Sequence, residues 1–187
     1  MSAVRFRHLF HGVRNEPAVQ HHRFGKCSIV HAPVEKAKTI SEELWNRIMS
    51  SMPIPCVDII VYATVKHRKC VLLGYRKICP HKGRWALPGG RIIKNESIRE
   101  TANRQLNEIS LDPTGRCRLV GVYPVNSERR SDISICLSTR LAAPQEPRRT
   151  MELSRFIWQP LSDLSAGLGS NYRAMLRDFA SGRHKIR

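Results

Sequence analysis

Pro88 to Asp112 reads PGGRIIKNESIRETANRQLNEISLD, a glycine turn that runs into a helix short of acid. Ser97 followed by Glu100 is a capping-box pair: the hydroxyl meets the backbone three residues on, and the glutamate reaches back. The helix is therefore predicted to begin at Ser97, leaving Glu96 just outside it. At about 100° per residue, Ile98, Ala102, Leu106 and Ile109 share one quadrant, the predicted buried face. Arg104 and Glu108 are four apart and project together away from it. Such a pair is ordinarily a surface ion pair worth well under ~1 kcal/mol. It points to function only through its surroundings.

On either side the pattern is of strands interleaved with a few helices. TISEELWNRIM opens the folded part, with Thr39 and Glu42 as a capping box and Leu44, Ile48 and Met49 as a helical stripe. VDIIVYATV and RKCVLLGYR read as strands joined by a turn around Lys66 to Lys69. A loop, CPHKGR, leads to WALPGG, a short strand ending in glycines. RCRLVGVYPV and DISICLSTRLAA are two further strands, RFIWQPL the last, and NYRAMLRDFA a closing helix before a basic tail. This order indicates an α/β domain with a mixed sheet over residues 39–187. There is no internal repeat.

Residues 1–38 are different in kind. They hold seven Lys/Arg against two Glu, a net +5, with five of the eight histidines, and Pro17, Gly25 and Pro33 break any periodicity. They read as a basic N-terminal arm. Their arginine-rich, acid-poor start resembles a mitochondrial presequence, but a solvated basic arm or a misplaced start codon together carry more weight. The whole chain of 187 residues carries a formal charge of +17, which draws it to polyanions: nucleic acid, acidic lipid or phosphorylated small molecules. No apolar run approaches a membrane span, so a membrane partner is not expected. Cys27, Cys56, Cys70, Cys79, Cys117 and Cys136 contain no Cys-x-x-Cys pair and lie mostly in strand-like runs. They are expected to be reduced, packed thiols in a reducing compartment such as the cytoplasm, not a zinc site or a disulfide framework.

Gly90, five residues, Glu96, seven residues and Arg104, preceded by a strand and Leu-Pro-Gly, resemble the opening of the Nudix box. That box reads Gly-x5-Glu-x7-Arg-Glu-apolar-x-Glu-Glu-x-Gly-apolar. The resemblance implies a Nudix α/β/α sandwich with a mixed sheet, whose helix carboxylates hold a hard divalent ion on phosphate oxygens. After Arg104 the chain departs from the pattern. Gln105 stands where the family has Glu, the paired glutamates become Glu108-Ile109, and Leu111 takes the glycine position. Alternatively, Glu108-Ile109-Ser110-Leu111 matches Glu-x-Gly-apolar with one residue deleted from the helix. The two alignments turn Glu108 by about 100° around the helix axis.

From about residue 40 to residue 164 the chain is similar to the GDP-mannose mannosyl hydrolases, a Nudix branch that also lacks several of those glutamates. LLGYRKICPHKGRWALPGGRIIKNE carries most of the likeness, and VDIIV matches the first strand, including the acid at Asp58. The resemblance implies a Mg²⁺-dependent hydrolase (Mn²⁺ an alternative ion) of nucleotide-diphosphate sugars, converting GDP-mannose to GDP and mannose by displacement at carbon 1. A departing diphosphate needs cations above all. The matching positions hold Arg76, Arg91 and Arg104, whose planar forks suit phosphate. Gly89 would let substrate approach the backbone, and the Gly90 carbonyl, Glu108 and Glu152 would hold the ion. Asp58 would either assist catalysis or pair with backbone or an arginine. Glu96 is expected to orient Arg104 or the loop, and Trp85 and Trp158 to be core. The general-base histidine of that branch, due directly after the Glu152 position, is Leu153 here, which leaves His81 as the nearby substitute. The resemblance also admits a homodimer. With eroded acids and a strong positive charge, the alternative is a catalytically impaired Nudix fold that binds RNA or a ribonucleoprotein. An RNA-cap or nucleoside-triphosphate hydrolase is a third reading, weakened because attack at phosphorus relies on the missing glutamates.

Overall fold

The first strand, β1 (Ile54–Val65), reads IPCVDIIVYATV and is apolar at most positions. A central strand covered on both faces loses the alternation of a half-exposed one. In the computed structural model the described residues are 40–186, apart from Pro80, residues 127–129, Ser165 and His184. The arm assigned to residues 1–38, and Thr39, lie outside them.

β2 (Arg68–Arg76) returns antiparallel beside β1, with Val65 opposite Arg68. Lys66 and His67 between them have φ of 47° and 63°, the left-handed pair of a tight hairpin turn. WALPGG, expected as one strand, is two. β3 (Trp85–Ala86) pairs with β2, and β4 (Gly89–Arg91) pairs with β1. Between them Pro88, which has no N–H to give a ladder, accepts from the Ile59 N–H at 2.8 Å. β5 (Arg118–Asn126) and β6 (Ser131–Arg140) are antiparallel to each other, β6 lies parallel to β1, and β7 (Leu153–Pro160) pairs with β2. β8 (Lys185–Ile186) lies parallel to β5, where only a basic tail was expected. The eight strands form one mixed sheet in the order β3-β2-β1-β6-β5-β8, with β4 and β7 branching onto β1 and β2.

One helix covers each face. Ala102 and Leu106 of α2 (Ile98–Glu108) pack on Val57, Ile59 and Val61, while Tyr172, Met175 and Leu176 of α3 (Ser170–Ala180) pack on Ile60, Leu73 and Cys136. The α/β/α sandwich implied by the resemblance is the architecture found. Two details of the helical reading are corrected. α1 (Glu42–Ser51) is capped by Ser41, whose hydroxyl accepts from the Leu44 N–H, and it buries no residue; Leu44 is 48 % exposed. In α2, Ile98 is 41 % exposed and Thr101 is buried in its place, because the capping box at Ser97 fixes where the first turn faces. Of the six cysteines, Cys56, Cys70 and Cys136 are buried, and all five described ones are free. Among the described residues, no helix is long and apolar enough to cross a membrane.

The end of α2 decides between the two alignments left open by the sequence. Ser110 has φ of 58°, its N–H reaches the Asn107 carbonyl at 3.0 Å, and the Leu111 N–H reaches the Leu106 carbonyl at 3.0 Å. These are the two bonds of a Schellman cap, with Ser110 at the left-handed position that glycine usually fills. Leu111 is buried beyond it. Glu108-Ile109-Ser110-Leu111 is thus the Glu-x-Gly-apolar ending, and the helix is one residue short.

Candidate active site

A cavity of about 330 Å³ opens on the α3 side of the sheet, where β1, β4 and β6 lie side by side. Strand periodicity places its floor. Cys56 and Asp58 of β1 share a face, and in the parallel ladder Cys56 lies opposite Ser134 and Ile54 opposite Asp132. Asp58 lies opposite Gly89. A β-carbon on Gly89 would run into the Val57 carbonyl and the Asp58 carboxylate, so only glycine lets the turn lie this close. Asn171 and Tyr172 close the cavity from the first turn of α3, Arg76 and Glu152 from the ends of β2 and the approach to β7, and Trp45 from α1.

The charges in this cavity are unevenly matched. Asp58 accepts a hydrogen bond from the Ser134 hydroxyl. Burial nevertheless pushes its carboxyl up to about 6, against the opposing pull of that bond and of Arg76. Arg76 is only 12 % exposed and lies 3.5 Å from Glu152, which is 53 % exposed. Arg91 stacks its guanidinium over the Trp45 ring at 4.9 Å. His81 meets Tyr172 edge-on at 5.5 Å, and burial, aided by Arg76, lowers its pKa from the ordinary imidazole value.

The glycine turn is tied to α2 by a separate network. Arg104 donates through Nε to Glu96 Oε1 at 2.7 Å and through Nη2 to Glu96 Oε2 at 2.9 Å and to the Arg91 carbonyl at 3.0 Å. Glu96 also accepts from the Ile93 N–H and the Thr101 hydroxyl, and these bonds, Arg104 first, hold its carboxyl down at about 2. Gln105 completes the joint once its amide is assigned the orientation that satisfies both ends: the N–H then donates to the Gly89 carbonyl at 2.7 Å and the oxygen accepts from Arg104 Nη1 at 2.7 Å.

A model of the NUDIX domain matches residues 52–179. The chain belongs to the NUDIX family. It is 33 % identical over 81 residues to the low-salt glycan biosynthesis protein Agl8 of Haloferax volcanii, an overlap of 43 % of this chain and 49 % of that protein. The chain thus spans about half the length of the curated relative it matches. Among solved structures, it is similar to the NUDIX domain of Shewanella oneidensis NrtR complexed with ADP ribose, with a TM-score of 0.63 and 22 % identity over 76 % of this chain and 99 % of that one. A MutT protein from Methanosarcina mazei gives 0.61 and 20 % over 71 % and 96 %, and the C. elegans Ap4A hydrolase 0.59 and 15 % over 69 % and 96 %. At these identities the structures establish the Nudix hydrolase fold alone.

The residues singled out in the sequence separate into two groups on this Nudix scaffold. Asp58, Arg76, Gly89, Gly90, Arg91 and Glu152 all line the cavity. Arg104 and Glu108 do not line it. Arg104 is bound to Glu96 and the turn, and Glu108 lies 3.9 Å from Arg104 Nη1 on the exposed side of α2. Arg104 therefore positions the Arg91 backbone. Trp85 and Trp158 pack against the two cores, as expected. Leu153 is buried against Gly74 in the α2-side core, so the position due to carry a histidine points away from the cavity. Trp45, Arg130, Asp132, Ser134, Asn171 and Tyr172 were not foreseen. The alternation Asp132-x-Ser134 at the head of β6 was the one signal for two of them.

Nudix hydrolases generally use divalent ions such as Mg²⁺. Such an ion wants about six oxygen ligands and several negative charges. Among the described residues, no group of three or more His, Cys, Asp or Glu could hold one. Glu152 lies 3.5 Å from Arg76 and Glu108 lies 3.9 Å from Arg104. Of the expected set, Gly90 and Glu152 line the cavity, while Glu108 lies outside that lining beside Arg104.

Proposed function

We propose that this chain hydrolyses nucleoside-diphosphate sugars, with GDP-mannose the first substrate to test. The observation that carries the reading is the gathering of Arg76, Arg91 and Asp58 in the lining of one cavity. Two guanidiniums beside a glycine turn suit a diphosphate, because each offers paired, charge-assisted donors that strengthen as negative charge builds on the leaving group. Trp45, already stacked on Arg91, offers a flat face for the base at the cavity mouth. Asp58, poised near neutrality, is suited to take a proton from water. In that step the water oxygen bonds to carbon 1 and the bond from carbon 1 to the phosphate oxygen breaks. Its electron pair leaves with the diphosphate, and the water proton passes to Asp58. The name of the Haloferax relative, a glycan biosynthesis protein, and the ADP ribose bound to the NrtR domain lean the same way.

The test is NMR of the purified protein with GDP-mannose, with and without Mg²⁺, following sugar and phosphorus signals. GDP plus free mannose is the expected pair. GMP plus mannose 1-phosphate would move the attack to phosphorus, and no turnover of any nucleotide sugar would remove the hydrolase reading. Replacing Arg91 with Gln should reduce kcat/KM at least tenfold, the loss of about one charge-assisted phosphate contact. Unchanged turnover would count against the arginine clamp.

A further inference from the structure

Two polar atoms in the cavity wall have no hydrogen-bond partner among the described residues: Oδ1 of Asp132 and Nδ2 of Asn171. Asp132 is 7 % exposed. Its other oxygen, Oδ2, takes both Nε of Arg130 at 3.1 Å and Nη2 at 2.9 Å. Leaving a buried acceptor and a buried donor unpaired is costly, and folded proteins keep few such groups. These two belong to different elements, the start of β6 and the first turn of α3, yet both line the same cavity. A ligand in that cavity carrying both a donor and an acceptor would satisfy the pair.

We infer that Asp132 and Asn171 form the sugar subsite, with Asp132 Oδ1 accepting from one ring hydroxyl and Asn171 Nδ2 donating to another. The inference rests on the nucleoside-diphosphate-sugar reading and names which end of the substrate lies where. Three observations select a neutral, hydroxylated ligand at this end. The Asp132 carboxylate is paired with Arg130 through Oδ2, which leaves this pair without net charge and Oδ1 unfilled. The arginines suited to a diphosphate, Arg76 and Arg91, come from β2 and β4. Asp132 also lies two residues before Ser134 on one strand face, and Ser134 donates to Asp58. Along β6 the step from Ser134 to Asp132 is about 7 Å, and Asp58, in register with Cys136, reaches Ser134 through its side chain. A ring with carbon 1 at Asp58 therefore presents its far hydroxyls to Asp132 and Asn171. A hydroxyl can give one hydrogen bond and receive another, so adjacent hydroxyls match an acceptor-donor pair.

The side-chain amide of Asn171 reports on this directly in ¹⁵N–¹H spectra of the full chain. It is expected to shift with GDP-mannose and with a high concentration of free mannose, glucose, galactose or ribose, and to stay still with GDP. Asp132→Asn, which replaces Oδ1 with an amide of either orientation, should lower the ratio of GDP-mannose to GDP affinity about tenfold while leaving GDP affinity unchanged. Asn171→Leu should do the same without touching the Arg130 pair, which covers the case in which the Asp132 variant fails to fold. A shift with GDP alone would give the pair to the base and overturn the assignment, as would silence with every sugar. If GDP-mannose is hydrolysed while Asn171 stays silent, the subsite fails and the hydrolase reading stands. If free sugars shift Asn171 while no nucleotide binds, the reverse holds.

Discussion

Burial pushes the Asp58 carboxyl up to about 6, against an ordinary value of 3.8. Below about pH 6 the group is protonated and unable to accept the water proton, and above it the carboxylate is available. The groups facing it are Cys56 on its own strand, Ser134 and Asp132 on β6, Arg76 on β2, Arg130 beside β6, and Tyr172 and His81 above. We expect kcat/KM for GDP-mannose to rise with pH on a limb whose midpoint is near 6, and Asp58→Asn to remove that limb and cost about 10² to 10⁴ in rate. A limb that survives in Asp58→Asn and disappears in His81→Gln would move the base to the histidine. Stability should behave in the opposite sense. Because the folded pKa is raised, the folded state holds a proton that the unfolded chain has released between pH 3.8 and about 6, so stability is lost as pH rises through that window. Asp58→Asn should therefore melt higher than the wild type at neutral pH, by on the order of 1–2 kcal/mol, a cost the native site carries for its chemistry. Urea melts across this range read it out.

The joint between the glycine turn and α2 works with the opposite sign. Glu96 is held at about 2 against an ordinary 4.5, so its contribution is complete above pH 4.5 and is lost as pH falls from there toward 2. Glu96→Gln should cost on the order of 2–3 kcal/mol at neutral pH and flatten the acid limb of the stability profile. It should also raise KM more than it lowers kcat, since Arg104 acts on substrate only through the Arg91 backbone. At the other end of the helix, Ser110 carries a left-handed φ that glycine adopts without strain. Ser110→Gly is expected to stabilise by roughly 0.5–1 kcal/mol, read as a rise of about 1–4 °C in Tm; a lower Tm would mean that the serine hydroxyl, not the backbone, matters there. These local features explain what the sequence made legible. The capping box at Ser97 and the hairpin at Lys66 depend on neighbours within a few residues, and each was found as read. The failures are of the other kind. Whether Arg104 reaches substrate depends on Glu96 folding back from outside the helix, and whether Leu153 could be replaced by a base depends on a strand register beside Gly74. The unpaired atoms of Asp132 and Asn171 become visible only when β6 and α3 are brought over the same cavity.

At the scale of the molecule the formal charge of +17 has to be separated from the cavity. A chain this basic attracts any polyanion through long-range charge, whichever residues line its site. Binding of that kind neutralises backbone phosphates and releases counterions, so its affinity should fall steeply with salt, by at least 10² between about 50 and 200 mM if several phosphates are engaged. A nucleotide sugar bound in the cavity as proposed would contact few cations. One of them, Arg76, is 12 % exposed, and buried pairs are screened far less than exposed ones. We therefore expect GDP-mannose affinity to fall less than about tenfold over the same salt range, while the affinity for a single-stranded RNA of mixed sequence collapses and shows little preference among sequences. Fluorescence titrations of both ligands on one protein preparation make the comparison. Parallel loss of the two would mean that the nucleotide is held by the general charge of the surface and not by Arg76, Arg91 and the glycine turn. RNA affinity that resists salt would mean a shaped RNA site, and the alternative reading of a Nudix fold turned to binding would then lead.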